Sequence, residues 1–183
     1  MRVAKTHTGA DRATIDEALS AVGAPLAGAG RPLYLAHLQL EHRSDFNALW
    51  NFNVGNIMLW RSPDSVSWYE LVDGDGVRAR YQAHDTLIDG MRDYASEIRR
   101  RPSVVAAAER GDVDGFAREL VATEYIGTPA SDTQEARARR VARDLRSILT
   151  GPSPSPGVSS SSMAVLVGLV VGLGSLVIAK VWS

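Results

Sequence analysis

The sequence predicts an α+β fold, with helices surrounding one small β-hairpin and a single apolar helix following at the C-terminus. Three observations carry this prediction. Apolar residues recur at helical spacing through most of residues 11–149, two alternating segments bracket an Asp-Gly-Asp-Gly string at 73–76, and the composition breaks at Gly151 into a Pro/Ser-rich stretch followed by an uncharged apolar run.

Taken in order, residues 11–22 form a short first helix with Ile15, Ala18, Leu19 and Val22 on one face, before Gly23, Pro25, Gly28 and Gly30 interrupt it. A second helix starts near Pro32, a residue suited to a first helical turn, and runs through Leu33, Ala36 and Leu40 to Glu41; its largely apolar surface makes it central to the core. The stretch 46–57 mixes aromatic residues with asparagines and is too irregular for a regular element. Segments 66–72 and 77–81 then flank the glycine-bearing turn as a hairpin. Beyond it, Asp85 or Thr86 caps a helix through Arg100, Pro102 opens a short one, and Asp112 caps another through Tyr125. Residues 131–135 supply capping-box spacing for a last helix to Leu149, with Gly151 past its end.

Residues 151–162 carry no charge and little that packs, and read as a linker of about a dozen residues, on the order of 20 Å as a coil. Residues 163–182 are uncharged until Lys180 and end near Trp182, at the short end of the roughly 17–25 apolar residues that a spanning helix needs. The alternative for this segment is a helix buried in a larger assembly. Gly168 and Gly172 form a small-xxx-small pair through which two such helices could approach, so a homo-oligomer built on the tail is one expected partner state, and the membrane is the other. The chain thus divides into an N-terminal helical segment at 1–30, a main domain at 31–150, the linker at 151–162, and a transmembrane or assembly helix at 163–182.

Twenty basic and twenty-one acidic residues leave a net charge of −1, which speaks against a nucleic-acid partner. The absence of cysteine excludes disulfides, thiolate metal sites and thiol nucleophiles. The first eleven residues are basic without a following apolar run, so no secretory signal peptide is legible there. No nucleophile elbow, P-loop or dinucleotide fingerprint is present, and no cofactor is expected. The 73–76 string does not continue as an EF-hand, since the twelfth position counted from Asp73 is His84 rather than Glu.

Glu41 ends an apolar helix and precedes a loop of aromatic and amide side chains. That setting suits a carboxyl group with a raised pKa, able to protonate a leaving oxygen at neutral pH; a solvated Glu at a helix end is the plainer alternative. His37 and Glu41 share a helix face while His42 does not, and with no third ligand evident no metal site is expected.

The order of parts carries more. Leu35-Ala36-His37-Leu38-Gln39-Leu40-Glu41, then Asn53-Val54-Gly55-Asn56-Ile57, then the hairpin, then Tyr81-Gln82-Ala83-His84-Asp85-Thr86-Leu87 and its helix, then 111–120 and Tyr125-Ile126-Gly127-Thr128-Pro129, resembles the glucosaminidase family of flagellar peptidoglycan hydrolases and bacterial autolysins. The resemblance covers roughly residues 30–150 and implies a lysozyme-like fold and a glycoside hydrolase that cuts the β-1,4-linked glycan strands of peptidoglycan, of endo-β-N-acetylglucosaminidase or muramidase type. It assigns the general acid to Glu41 and a second carboxylate to the hairpin at Glu70, with Asp73 or Asp75 as substitutes. It also places Tyr125 in the cleft with Asn53 and Asn56 in the loop beneath; Trp50, in the aromatic stretch leading into that loop, is a further candidate substrate contact. A second carboxylate roughly 5 Å from the acid implies retention, and one about 6.5–9.5 Å away implies inversion, while an N-acetyl group on the substrate can itself act as nucleophile. The sequence departs from the family where His42-Arg43-Ser44-Asp45-Phe46 replaces the usual Ser or Thr and Gly-Trp-Gly turn. The alternative is therefore a catalytically inactive lysozyme-like domain that binds glycan or serves as a structural or pore-forming virion protein. The unreadable leader and apolar tail suggest a phage lysin, a virion component, or a membrane-associated bacterial enzyme whose soluble domain faces the cell wall.

Overall fold

The computed structural model describes residues 1–42, 46, 49–58, 66–72, 78–127 and 131–151. The turn carrying Asp73 and Asp75, the linker from 152 and the apolar segment at 163–182 lie outside these residues. Among the described residues no helix is long and apolar enough to cross a membrane.

Among the described residues, six helices and one hairpin follow in chain order: α1 (Arg12–Ala21), α2 (Arg31–Glu41), β1 (Trp68–Val72), β2 (Arg78–Gln82), α3 (Leu87–Arg99), α4 (Pro102–Glu109), α5 (Val113–Ala122) and α6 (Gln134–Thr150). The caps are local and readable. Asp11 accepts from the Thr14 N–H, Thr86 from Asp89, and Asp112 from Gly115, each satisfying a backbone donor that the first turn leaves unpaired. For α6 the capping residue is Thr133, which accepts from Ala136. The third helical position is thus an alanine, which cannot reach back, and the capping box expected from 131–135 does not form.

α2 is the central element. Its residues Leu33 to Gln39 are all buried, and Tyr34 meets Phe116 of α5 edge to face at 5.8 Å. Around it Met91, Tyr94 and Ile98 of α3, Val104 and Ala108 of α4, Phe116 and Leu120 of α5, and Val141 and Leu145 of α6 complete one apolar core. α1 adds Ile15 and Leu19 to that same core. Two polar links fasten α1 to α2: Arg31 to the Asp16 carboxylate at 2.6 Å, and Arg12 to Gln39 at 2.6 Å.

The hairpin is antiparallel, with Tyr69 opposite Tyr81 and Glu70 opposite Arg80. Alternation puts Tyr69, buried and stacked on Tyr81 at 5.7 Å, on the inward face and Glu70 on the other. The N-terminal segment runs beside β1, where the Val3 N–H donates to Trp68 and the Trp68 N–H to Met1, and then crosses the irregular loop, where the Asn51 N–H donates to Thr6 and the Thr8 N–H to Leu49. Asn51 closes this junction with its side chain, accepting from the Thr6 N–H and donating to the Ala4 carbonyl, both at 2.9 Å.

Helix α5 stops at Ala122, three residues before the expected end at Tyr125. Glu124 takes a left-handed conformation (φ 57°), and the Glu124 and Tyr125 N–H groups turn back to the carbonyls of Val121 and Leu120. This is the Schellman arrangement with glutamate where glycine is usual, which is why no glycine announced the stop.

The loop before the hairpin is also tightly turned, with Asn51, Phe52 and Asn56 all at positive φ. The Phe52 carbonyl presses against α3 at Gly90, where an added Cβ would sit 1.8 Å from that oxygen. Gly90→Ala is accordingly expected to cost roughly 1–3 kcal/mol, the range typical of overpacking, measurable as a lowered midpoint in chemical denaturation. An unchanged midpoint would mean that the loop does not rest on α3 in this way.

Candidate active site

The site grows from the C-terminal end of α2. Glu41 is its last residue and His42 its cap, the His42 N–H returning to the Leu38 carbonyl at 3.1 Å. The His42 side chain is buried, and its Nε2–H donates to the Val54 carbonyl at 2.5 Å. Two residues further on, Asn56 Nδ2 donates both to the Glu41 carbonyl at 3.1 Å and to its carboxylate Oε2 at 3.0 Å. Between them, the Tyr125 hydroxyl donates to the Gly55 carbonyl at 2.8 Å. Three successive loop residues are thus each fastened by a different side chain. Gly55 has to be glycine for this, since a Cβ there would lie 2.7 Å from the Tyr125 hydroxyl and 3.0 Å from the Tyr94 ring.

One turn back on α2, the His37 imidazole is fully buried among the rings of Tyr94, Phe116 and Tyr125, with centroids 5.1–5.9 Å away. Its Nδ1 lies 2.8 Å from the Tyr94 hydroxyl, and its Nε2 lies 3.4 Å from Glu41 Oε1. The second distance is long for a hydrogen bond but short enough for strong electrostatic contact. The Glu41 side chain keeps 21% of its surface exposed, so a bound molecule can reach the carboxyl group.

These neighbours decide the charge on Glu41. Burial, the largest single influence, pushes its pKa up, but the His37 contact, the Asn56 hydrogen bond and the charge of His42 together bring it below the ordinary carboxylate value. The raised pKa expected from the sequence is therefore corrected: in the free site Glu41 favours its ionised form. Tyr94 and Tyr125 go the other way. Burial first, then neighbouring groups that include Glu41, raises both well above the usual phenol value, so both hydroxyls keep their protons.

The structure brings Glu41, Asn56 and Tyr125 together. Asn53 lies in the same loop but is buried and spent on holding it, with Oδ1 accepting from the Ile57 N–H at 2.8 Å and Nδ2 donating to the Ile57 carbonyl at 3.0 Å. Trp50 packs against the N-terminal segment, beneath Lys5 Nζ at 3.8 Å and edge-on to His7 at 5.0 Å. Glu70 Oε1 is engaged by Arg78 at 2.8 Å and by Arg2 at 3.6 Å, on the hairpin face opposite Tyr69. Three contributors escaped sequence reasoning: His42 as loop anchor, Tyr94, and His37 as the partner of Glu41. The i, i+4 spacing of His37 and Glu41 is visible in the sequence, but spacing alone does not tell a hydrogen-bonding pair from a metal pair.

No family model matches the chain, and no curated protein matches it. Solved structures do. The crystal structure of a peptidoglycan hydrolase from Sphingomonas sp. A1 superimposes with a TM-score of 0.54 at 20% identity, covering 81% of this chain and 99% of that one. A mutant of the same hydrolase, with a glutamate replaced by alanine, gives 0.54 at 18% identity over 76% and 90% of the two chains. The fold expected from the sequence resemblance is thus the one observed, shared with a peptidoglycan hydrolase.

The depressed pKa of Glu41 has a measurable sign. A carboxylate below its ordinary value of 4.5 contributes stability that is present above that value and is lost as pH falls through the folded-state pKa. Denaturation at a series of acid pH values should show a steeper loss of stability in the wild type than in Glu41→Gln. Parallel curves for the two proteins would contradict this electrostatic picture.

Proposed function

We propose that this domain hydrolyses the glycan strands of peptidoglycan, with Glu41 as the general acid. The observation that carries this reading is the Glu41 carboxyl group itself, partly exposed at the end of the core helix and oriented by Asn56, on a fold shared with a peptidoglycan hydrolase. Seating a sugar over the carboxyl group would displace the water that reaches its exposed part, and that desolvation favours the protonated acid. Glu41 then gives its proton to the leaving oxygen as the bond from that oxygen to the anomeric carbon breaks.

The pairing of Glu70 with Arg78 and Arg2, on the hairpin face opposite Tyr69, supports a route in which the substrate supplies its own nucleophile. The carbonyl oxygen of the neighbouring N-acetyl group bonds to the anomeric carbon, forming an oxazolinium ring. Water, giving up a proton to Glu41, then opens that ring. Glu70 in this reading braces the hairpin. Tethering through the apolar segment at 163–182 would confine cleavage to the wall layer within reach of the linker; the support for this is the composition of those residues alone.

The test is release of reducing ends from purified peptidoglycan by the full chain. Wild type is expected to cleave, more rapidly as pH falls below neutral because the acid must be protonated. Glu41→Gln should lose at least a hundredfold in kcat, the scale of general-acid catalysis, with its fold intact by circular dichroism. Glu70→Gln should keep most of its activity, and a loss as deep as that of Glu41→Gln would instead make Glu70 the nucleophile or base. Absence of cleavage by the folded wild type would favour the glycan-binding or structural alternative.

A further inference from the structure

We propose that His37 is a positioning residue for Glu41: its buried imidazole, held in one tautomer by Tyr94, directs Nε2–H at the carboxylate and stabilises the charge left when the proton departs. The catalytic consequence rests on the hydrolase reading above, while the pairing itself does not depend on the substrate.

A histidine enclosed by aromatic rings needs a partner at each nitrogen, because an unpaired buried polar atom is costly. Nδ1 has the Tyr94 hydroxyl at 2.8 Å. Among the described residues Nε2 forms no hydrogen bond elsewhere, and it faces Glu41 Oε1 at 3.4 Å. Tyr94 keeps its proton and can donate it to Nδ1, which leaves the ring hydrogen on Nε2, pointing at Glu41. Asn56 holds the other carboxylate oxygen, Oε2, so two donors from different elements grip the two oxygens and fix the plane of the group. The carboxylate left when the proton departs is then met by a donor at each oxygen, which is when that stabilisation is useful.

The neighbours of the pair come from several elements. His42 faces Glu41 from the helix cap, and Tyr94 comes from α3. Tyr125 follows α5 and lies edge-on to His37, with the Arg101 guanidinium 5.0 Å above its ring. Glu97 balances that arginine at 2.9 Å. Tyr34, one turn before His37, is pushed up to about 12 by burial and by Glu109, and stays neutral.

The experiment follows the Glu41 carboxyl carbon by 13C NMR in the full chain across acid pH, its signal assigned by its absence in Glu41→Gln. The titration midpoint is expected to rise in His37→Leu, which removes the donor, and to return toward the wild type in His37→Gln, which restores an N–H from an amide. Tyr94→Phe, which keeps the ring in place but frees the tautomer, should raise the midpoint part of the way. With peptidoglycan, His37→Leu should lower kcat by roughly tenfold or more, about one charge-assisted hydrogen bond, with KM unchanged. A midpoint unmoved by Tyr94→Phe and by His37→Leu would reduce His37 to a packing residue and overturn the proposal; if the leucine variant does not fold, Tyr94→Phe alone decides. Should the wild type cleave no glycan while these shifts are seen, the hydrolase reading falls and the His37–Glu41 pairing stands.

Discussion

The hydrogen bonds from one amide, Asn56 Nδ2, to both the backbone and the side chain of Glu41 organise this molecule. A carboxyl group at the end of a buried helix would ordinarily turn to water or leave its helix end unsatisfied. Here a loop folds back to meet it, and most of the local architecture serves that return. The left-handed turn at Asn56 aims the amide, and asparagine tolerates that backbone conformation better than most residues. His42 and Tyr125 fasten the two preceding loop residues, and Asn53 ties off the following one. Gly90 lets the loop settle on α3, and Asn51 joins it to the N-terminal segment.

The consequence is a carboxyl group whose charge is controlled rather than merely buried. Desolvation alone would make Glu41 a weak acid, and the two histidines and the amide act against it. The balance favours the carboxylate while water still reaches the site, and under the proposed function it shifts toward the acid once glycan excludes that water. An acid tuned in this way is strong when it gives up its proton, because the donors that depress its pKa also stabilise the product carboxylate. The aromatic enclosure formed by Tyr94, Phe116 and Tyr125 keeps His37 dry and fixed, so its N–H has little freedom to point elsewhere.

Much of the fold was legible because its signals are local. Pro32 and Pro102 opened helices, Thr86 and Asp112 capped them, and alternation about a glycine turn marked the hairpin. The end of α5 was not legible, since glutamate at the left-handed position gives no signal of its own. The capping box at α6 was misplaced because Ser131, Asp132 and Thr133 are all good caps, and only the fold selects the third. At the site, Glu41, Asn56 and Tyr125 stood out through the order of segments in the family resemblance. Glu41's depressed pKa did not, because it depends on His37, Asn56 and His42 converging from a helix, a loop and a cap. Trp50 was singled out as an aromatic near the loop, yet its ring is taken up by Lys5 and His7, contacts across more than forty residues that no local pattern encodes.

The central claim, that glycan binds over the end of α2, is tested most directly by mapping where a peptidoglycan fragment touches the chain. Amide and side-chain NMR shifts of Glu41→Gln, titrated with an N-acetylglucosamine–N-acetylmuramic acid oligomer, should move at Gly55, Asn56 and Tyr125. Shifts confined to Trp50 and Lys5, with the Asn56 region unmoved, would contradict it.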